Sequence, residues 1–231
     1  SEMSHIVLET NANDIPFELM WADEFFALKY AIGRRLRIAG PAEMRSPEDS
    51  DALRALIIAD PKENLRGAVT ECEYVEAELK KLIDTSYIRR SAATCESVRS
   101  CLRSGYTIIH YAGHVDESGL QLSDGILDSD TIRKTVRGRP IVFINGCKSA
   151  GVVNTELAEA FLRGGAVGYI GSLWDIHDVA AAQLAITFYR NSLHHYSLGE
   201  ALRMAKESAF HNRNIAWLCF VLFGDPTLRL I

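Results

Sequence analysis

Apolar residues in this chain gather into short continuous runs, and amphipathic stretches separate the runs. Ala52–Ala59, Tyr106–Ala112, Pro140–Asn145, Ala166–Leu173 and Ala216–Phe223 are each six to eight residues long. Each stops at a turn former or a polar pair: Asp60-Pro61, Gly113, Gly146, Trp174-Asp175 and Gly224-Asp225-Pro226. Runs of this length with such boundaries predict buried strands. Between them the spacing turns helical. Residues Val69–Ile83 place Val75, Leu79, Leu82 and Ile83 on one face and Glu71, Glu73, Glu76 and Glu78 on the other. Thr94 is an N-cap for a helix over Cys95–Arg103, which closes at Ser104-Gly105. Further helices are predicted from Asp128 or Ser129 to Val136, over Asn154–Leu162, over Ile176–Tyr189 and over Leu198–Ser208.

The remaining segments are weaker signals. His5–Glu9 alternates like an edge strand, Phe17–Tyr30 has a mixed helical pattern, and Tyr87–Arg90 and Gly119–Leu122 read as short strands. Ala39–Asp51, with its prolines and charges, reads as a long surface loop. Strands alternating with helices predict parallel βαβ units with right-handed crossovers, hence an α/β fold.

Composition narrows this picture little. The 231 residues, 48% hydrophobic and 24% charged, suit one domain, 1–231, with a full core. A net charge of −5 without a basic stripe argues against nucleic acid as a direct partner. No segment has the apolar length of a membrane span, and the first residues lack the pattern of a signal peptide. The five cysteines, an odd number with no CxxC pair, argue against a disulfide framework or a metal site and for reduced thiols in a cytoplasmic setting.

Two of the apolar runs each end in a reactive side chain. Ile108-Ile109-His110-Tyr111-Ala112-Gly113 leads to His114, and Ile141-Val142-Phe143-Ile144-Asn145-Gly146 leads to Cys147. Ligands bind at the carboxyl ends of parallel strands, so two neighbouring ends would bring imidazole and thiol together. That pair is the minimal apparatus for covalent attack on an acyl carbon. The competing readings are a small core thiol and a surface-loop histidine. His110, inside its run, reads as a core histidine with a hydrogen bond. Lys148 next to Cys147 would favour the thiolate. Phosphate-loop, serine-hydrolase and dinucleotide-binding patterns are not met.

Several segments together resemble the CHAT domain, a family of bacterial relatives of caspases and separases. They are His110–His114, Leu120–Gly125, Asn145–Ser149, Gly164–Asp175, Ala201–Ala205, Gly224-Asp225-Pro226 and the entry segment Ile15–Leu19. The resemblance implies a caspase-like, mostly parallel central sheet flanked by helices in three layers. It implies a cysteine endopeptidase with no cofactor or metal, acting on a protein substrate under a regulatory partner or sensor domain, in bacterial signalling or antiviral defence. Catalytic His114 and Cys147 follow from it, as does an oxyanion hole from the backbone N–H groups of Cys147 and Val115, with Gly113 giving that loop the freedom to aim them. Gly113, Asp175 and Asp178 become substrate-binding candidates, the two acids for a basic P1 residue. Asp175 also reads as an N-cap of the helix from Ile176, and Ala180–Ala182 lack the acid that separases place there. A small or apolar P1 is therefore favoured over a basic one, and Asp at P1 is not expected. An inactive scaffold and a non-proteolytic acyl hydrolase are the alternatives.

Overall fold

The computed structural model describes residues 5–10, 12, 15–36, 53–151 and 155–231. The loop expected at Ala39–Asp51 and the helix start expected at Asn154 lie outside the described residues. In chain order the elements are β1 (His5–Glu9), α1 (Phe26–Lys29), β2 (Ala31–Arg35), β3 (Arg54–Ala59), α2 (Arg66–Leu79), β4 (Asp84–Arg89), α3 (Cys95–Arg103) and β5 (Ile108–Ala112). Then come β6 (Val115–Asp116), β7 (Gly119–Leu122), β8 (Gly125–Asp128), α4 (Ser129–Thr135), β9 (Ile141–Asn145), α5 (Thr155–Arg163), β10 (Gly168–Ser172), α6 (Asp178–Ser192), α7 (Leu198–His211) and β11 (Phe220–Gly224).

Eight strands form one sheet in the order β1-β2-β11-β10-β9-β5-β3-β4. Every neighbouring pair is parallel except β10 and β11. The exception has a simple cause. Two helices, α6 and α7, separate β10 from β11 and pack as an antiparallel pair, so the chain returns to the edge it left and the next strand runs back. Helices α2, α6 and α7 cover one face, burying Val75, Leu79, Leu184, Phe188 and Leu202 against β5, β9 and β10. Helices α3, α4 and α5 cover the other with Val98, Leu102, Ile132, Leu157 and Phe161. The fold is thus a three-layer α/β sandwich. Strands β6, β7 and β8 form a separate small sheet after β5.

Caps act where the pattern places them. The Thr94 side chain accepts from the Ser97 N–H in a reciprocal capping box, and Asp128 accepts from Thr131. Some expectations need correction; the strand expected over Ala216–Phe223 begins only at Phe220, after a 3-10 turn at Ile215–Leu218. Phe17–Tyr30 is no helix: it holds a 3-10 turn at Phe17–Leu19 and the four-residue α1. The strand β2 was not anticipated, because its Arg34 reads as a surface residue. Arg34 is 1% exposed and its guanidinium meets the buried Glu18 carboxylate, Nε to Oε1 at 2.8 Å and Nη2 to Oε2 at 2.5 Å. Buried charges persist when paired and hydrogen-bonded like this. Lys206 on α7 is buried beside them, and burial pulls its ammonium down to about 8 while Glu18 resists. Lastly, α2 ends at Leu79, so Leu82 is exposed, and Glu71 lies on its buried face with Cys72, Val75 and Leu79.

Candidate active site

The register of the sheet sets the site. Ala112 at the end of β5 pairs with Asn145 at the end of β9. The offset is 33, as 145 minus 112, and His114 and Cys147 share it, as 147 minus 114. Each therefore stands two residues beyond its strand at one sheet edge, and both are half-buried. The ladder continues past the strands, since the Gly113 N–H donates to the Asn145 carbonyl at 3.1 Å. The glycines serve close approach: a Cβ on Gly146 would lie 2.5 Å from Val115 Cγ2 and 2.8 Å from the Gly113 carbonyl. Neither glycine has positive φ. The left-handed residue of the turn is Lys148, at φ 55°.

That turn is anchored from beneath. Ser149 is fully buried; its hydroxyl donates to the Ile144 carbonyl at 2.9 Å and accepts from the Ser172 N–H at 2.9 Å. The Ser172 hydroxyl lies 3.0 Å from the Gly146 carbonyl and 2.9 Å from that of Trp174. These bonds hold the Cys147 loop against the end of β10. Among the described residues no acceptor takes the Cys147 N–H.

Different loops hold the two reactive side chains. The Cys147 thiol donates to the Ile176 carbonyl at 3.6 Å. His114 Nε2 lies 2.8 Å from Asn64 Oδ1. No hydrogen bond joins His114 to Cys147 among the described residues; such bonds often close only once a substrate is seated. Asn64 belongs to the loop between β3 and α2, which the sequence did not mark. A buried carboxylate shapes that loop: Asp60 Oδ1 accepts from the N–H groups of Asn64 at 3.0 Å and Leu65 at 3.1 Å.

Directly below lies a buried polar group of four side chains. The Asn145 amide donates to Glu71, Glu71 Oε1 stands 3.1 Å from His110 Nε2, and His110 Nδ1 stands 3.1 Å from the Tyr189 hydroxyl. His110 is thus the core histidine its position suggests. The Glu71–His110 contact is close but lacks hydrogen-bond alignment.

The two acids read as pocket candidates have other partners. Asp175 is no helix cap: α6 starts at Asp178 behind His177. The turn at Lys148 instead brings that ammonium to Asp175 at 2.7 Å, and Asp175, with Cys147 adding to it, holds Lys148 above the usual lysine range. The pair is largely exposed, which makes it a weak tether. Asp178 accepts from the Gly67 N–H at 2.9 Å, so it caps the start of α2 from the first turn of α6, and it also accepts from the Val179 N–H at 2.9 Å. Of the other thiols, burial pushes Cys72 well up, Cys219 to about 11, and Cys95 upward. Such shifts disfavour the nucleophilic thiolate. Among the described residues no group of three His, Cys, Asp or Glu is placed to hold a metal. No helix there is long and apolar enough to cross a membrane.

A family model described as the CHAT domain matches residues 5–225. The chain belongs to the CHAT domain family. No curated protein matches it. Among solved structures, the CHAT domain is similar to the Arg-specific cysteine proteinase gingipain R, with a TM-score of 0.75 at 14% identity over 92% of this chain and 58% of that one. A complex of the pro- and mature domains of Porphyromonas gingivalis RgpB gives a TM-score of 0.74 at 15% identity over 99% of this chain and 66% of that one. The Saccharomyces cerevisiae separase–securin complex gives 0.67 at 16% identity over 98% of this chain and 16% of that one. The chain spans under two thirds of the first of these structures and about a sixth of the last. The fold is therefore that of caspase-like cysteine proteases.

Proposed function

We propose that this CHAT domain is a cysteine endopeptidase in which Cys147 is the nucleophile and His114 the general base and acid. The observation that carries the reading is the shared register that sets both residues two positions past adjacent parallel strands. The Cys147 sulfur attacks the scissile carbonyl and His114 takes the thiol proton; a C–S bond forms as the carbonyl becomes an oxyanion. The N–H groups of Cys147 and Val115 receive that oxyanion, each worth roughly 2.7–4 kcal/mol in the transition state. The C–N bond then breaks and the leaving amine takes the proton from His114. Water, deprotonated by the same imidazole, cleaves the C–S bond and releases the carboxylate.

The substrate is a protein cut after a small or apolar residue. Gingipain R is Arg-specific, but here Asp175 already pairs with Lys148 and Asp178 holds the Gly67 N–H at the start of α2. Gly113 remains a substrate-binding candidate through its place beside His114. A regulatory partner or sensor domain fits the family, as separase is held with securin, and so does a cytoplasmic role in bacterial signalling or antiviral defence.

The test replaces Cys147 and His114 singly by Ala. Each should abolish cleavage of a peptide library with an unchanged circular dichroism spectrum, whereas Ser or Ala at Cys72, Cys95, Cys101 or Cys219 should leave the chemistry intact. Wild-type cleavage by Cys147→Ala would refute the mechanism. A properly folded wild-type domain that neither cleaves nor reacts with peptidyl electrophiles would favour a scaffold.

A further inference from the structure

His114 is backed by a neutral amide. Its Nε2 meets Asn64 Oδ1 at 2.8 Å. An amide oxygen can only accept, so Nε2 carries the proton and Nδ1 is the nitrogen left bare to take another. Asn64 is itself fixed: its own N–H is bound by Asp60 Oδ1, and the Asp60 N–H donates to the Ala112 carbonyl at 2.8 Å, tying the loop to the strand that leads to His114.

The charged and titratable groups on the surrounding elements are engaged elsewhere. On the loop before α2, Asp60 holds the Asn64 and Leu65 N–H groups, while Lys62 and Glu63 are exposed. On the hairpin after His114, Asp116 accepts from Ser118, Gly119 and Gln121, and Glu117 is exposed. After β9, Lys148 pairs with Asp175, leaving Cys147 as the titratable neighbour. Before α6, His177 is exposed and meets Asp178, which holds the Gly67 N–H. Among the described residues no carboxylate is hydrogen-bonded or ion-paired to His114.

Resting on the peptidase reading, we propose that Asn64 is the positioning residue of His114. It fixes the ring and its tautomer but supplies no charge to balance an imidazolium. A carboxylate at this position would keep the acceptor oxygen and add a counter-ion, holding the imidazolium to higher pH.

The experiment follows carboxamidomethylation of Cys147 by iodoacetamide, read by mass spectrometry from pH 5 to about 10, and so needs no known substrate. Asn64→Ala should slow alkylation at low pH by about tenfold, the imidazolium no longer being held beside the thiol. Asn64→Asp should restore the low-pH rate to within a few-fold of wild type. It should also move the pH at which imidazolium support is lost upward by about one unit, as an opposite charge at this distance does. Thermal melts confirm that both variants fold. Profiles of both variants that coincide with wild type, while His114→Ala changes the profile, would overturn the role of Asn64 and leave the dyad standing. A His114→Ala profile that also coincides with wild type would overturn the dyad itself.

Discussion

The buried ammonium of Lys206 gives the most quantitative prediction. Burial lowers it from 10.5 to about 8, with the Glu18 carboxylate opposing and the Arg34 guanidinium assisting. Between those two values the unfolded chain binds the proton and the folded one releases it, so this group makes stability rise with pH across that window. Below it, both states carry the charge and the fold bears the full cost. A difference of 2.5 units corresponds to about 3 kcal/mol at pH 7, falling to about 2 kcal/mol at pH 9. Lys206→Met, which keeps the chain length and removes the charge, should therefore stabilise the domain by about those amounts. Wild type alone would mislead, because Cys219, raised to about 11, works in the opposite direction as the pH climbs above the usual thiol range. The quantity to measure is the difference between the two proteins in urea unfolding at pH 7 and pH 9, with equal slopes confirming a comparable transition. A Met variant less stable than wild type at pH 7, or a gain that does not shrink with pH, would show that Glu18 fully compensates the ammonium. Glu18→Gln should act the other way, leaving two buried cations without their carboxylate at a cost of about 3–5 kcal/mol.

Two further outcomes follow from the geometry. Gly67→Ala places a Cβ 2.7 Å from the Asp178 backbone, so it should part the starts of α2 and α6 and cost about 1–3 kcal/mol in thermal or denaturant unfolding; an unchanged melt would mean that the two helix ends are not rigidly joined. In peptide-library cleavage, small or apolar P1 residues should lead and Asp should be poorly cut; dominance of Arg, lost on Asp175→Asn, would make Asp175 a specificity residue released from Lys148.

The strands that carry His114 and Cys147 were legible because each is a continuous apolar run, too short for a helix and closed by glycine, as a strand buried on both faces is. The strand β2 was hidden because its two closing arginines, Arg34 and Arg35, look like solvent exposure until the partner of Arg34, Glu18, is placed 16 residues away. The same blindness affected α2. Glu71 shares the charge pattern of Glu73 and Glu76, and only the position of Asn145 reveals that it faces inward. Asn64 could not be singled out, since a polar residue in a Pro-led loop is ordinary and its meaning lies in a contact 50 positions along the chain. Asp175 was misplaced for a local reason: the chain turns for two more residues before α6 begins, and Lys148, bent back at positive φ, meets the carboxylate first.

The shared offset of β5 and β9 has a consequence for how such a domain tolerates change. What aligns imidazole and thiol is the two-residue overhang beyond each strand, not the length of the excursion between them. Residues such as Glu117 and Ser118, exposed at the tip of the hairpin made by β6 and β7, form a place where chain can be added or removed while strand pairing keeps the reactive pair level. One residue lost between Ala112 and His114, or between Asn145 and Cys147, has no such remedy, because a single glycine spans each gap and its loss would draw the side chain back onto the strand end. Length variation on this scaffold is thus free at the hairpin tip and forbidden at the two strand ends, which makes the tip the natural point for grafting a sensor or a substrate-docking segment.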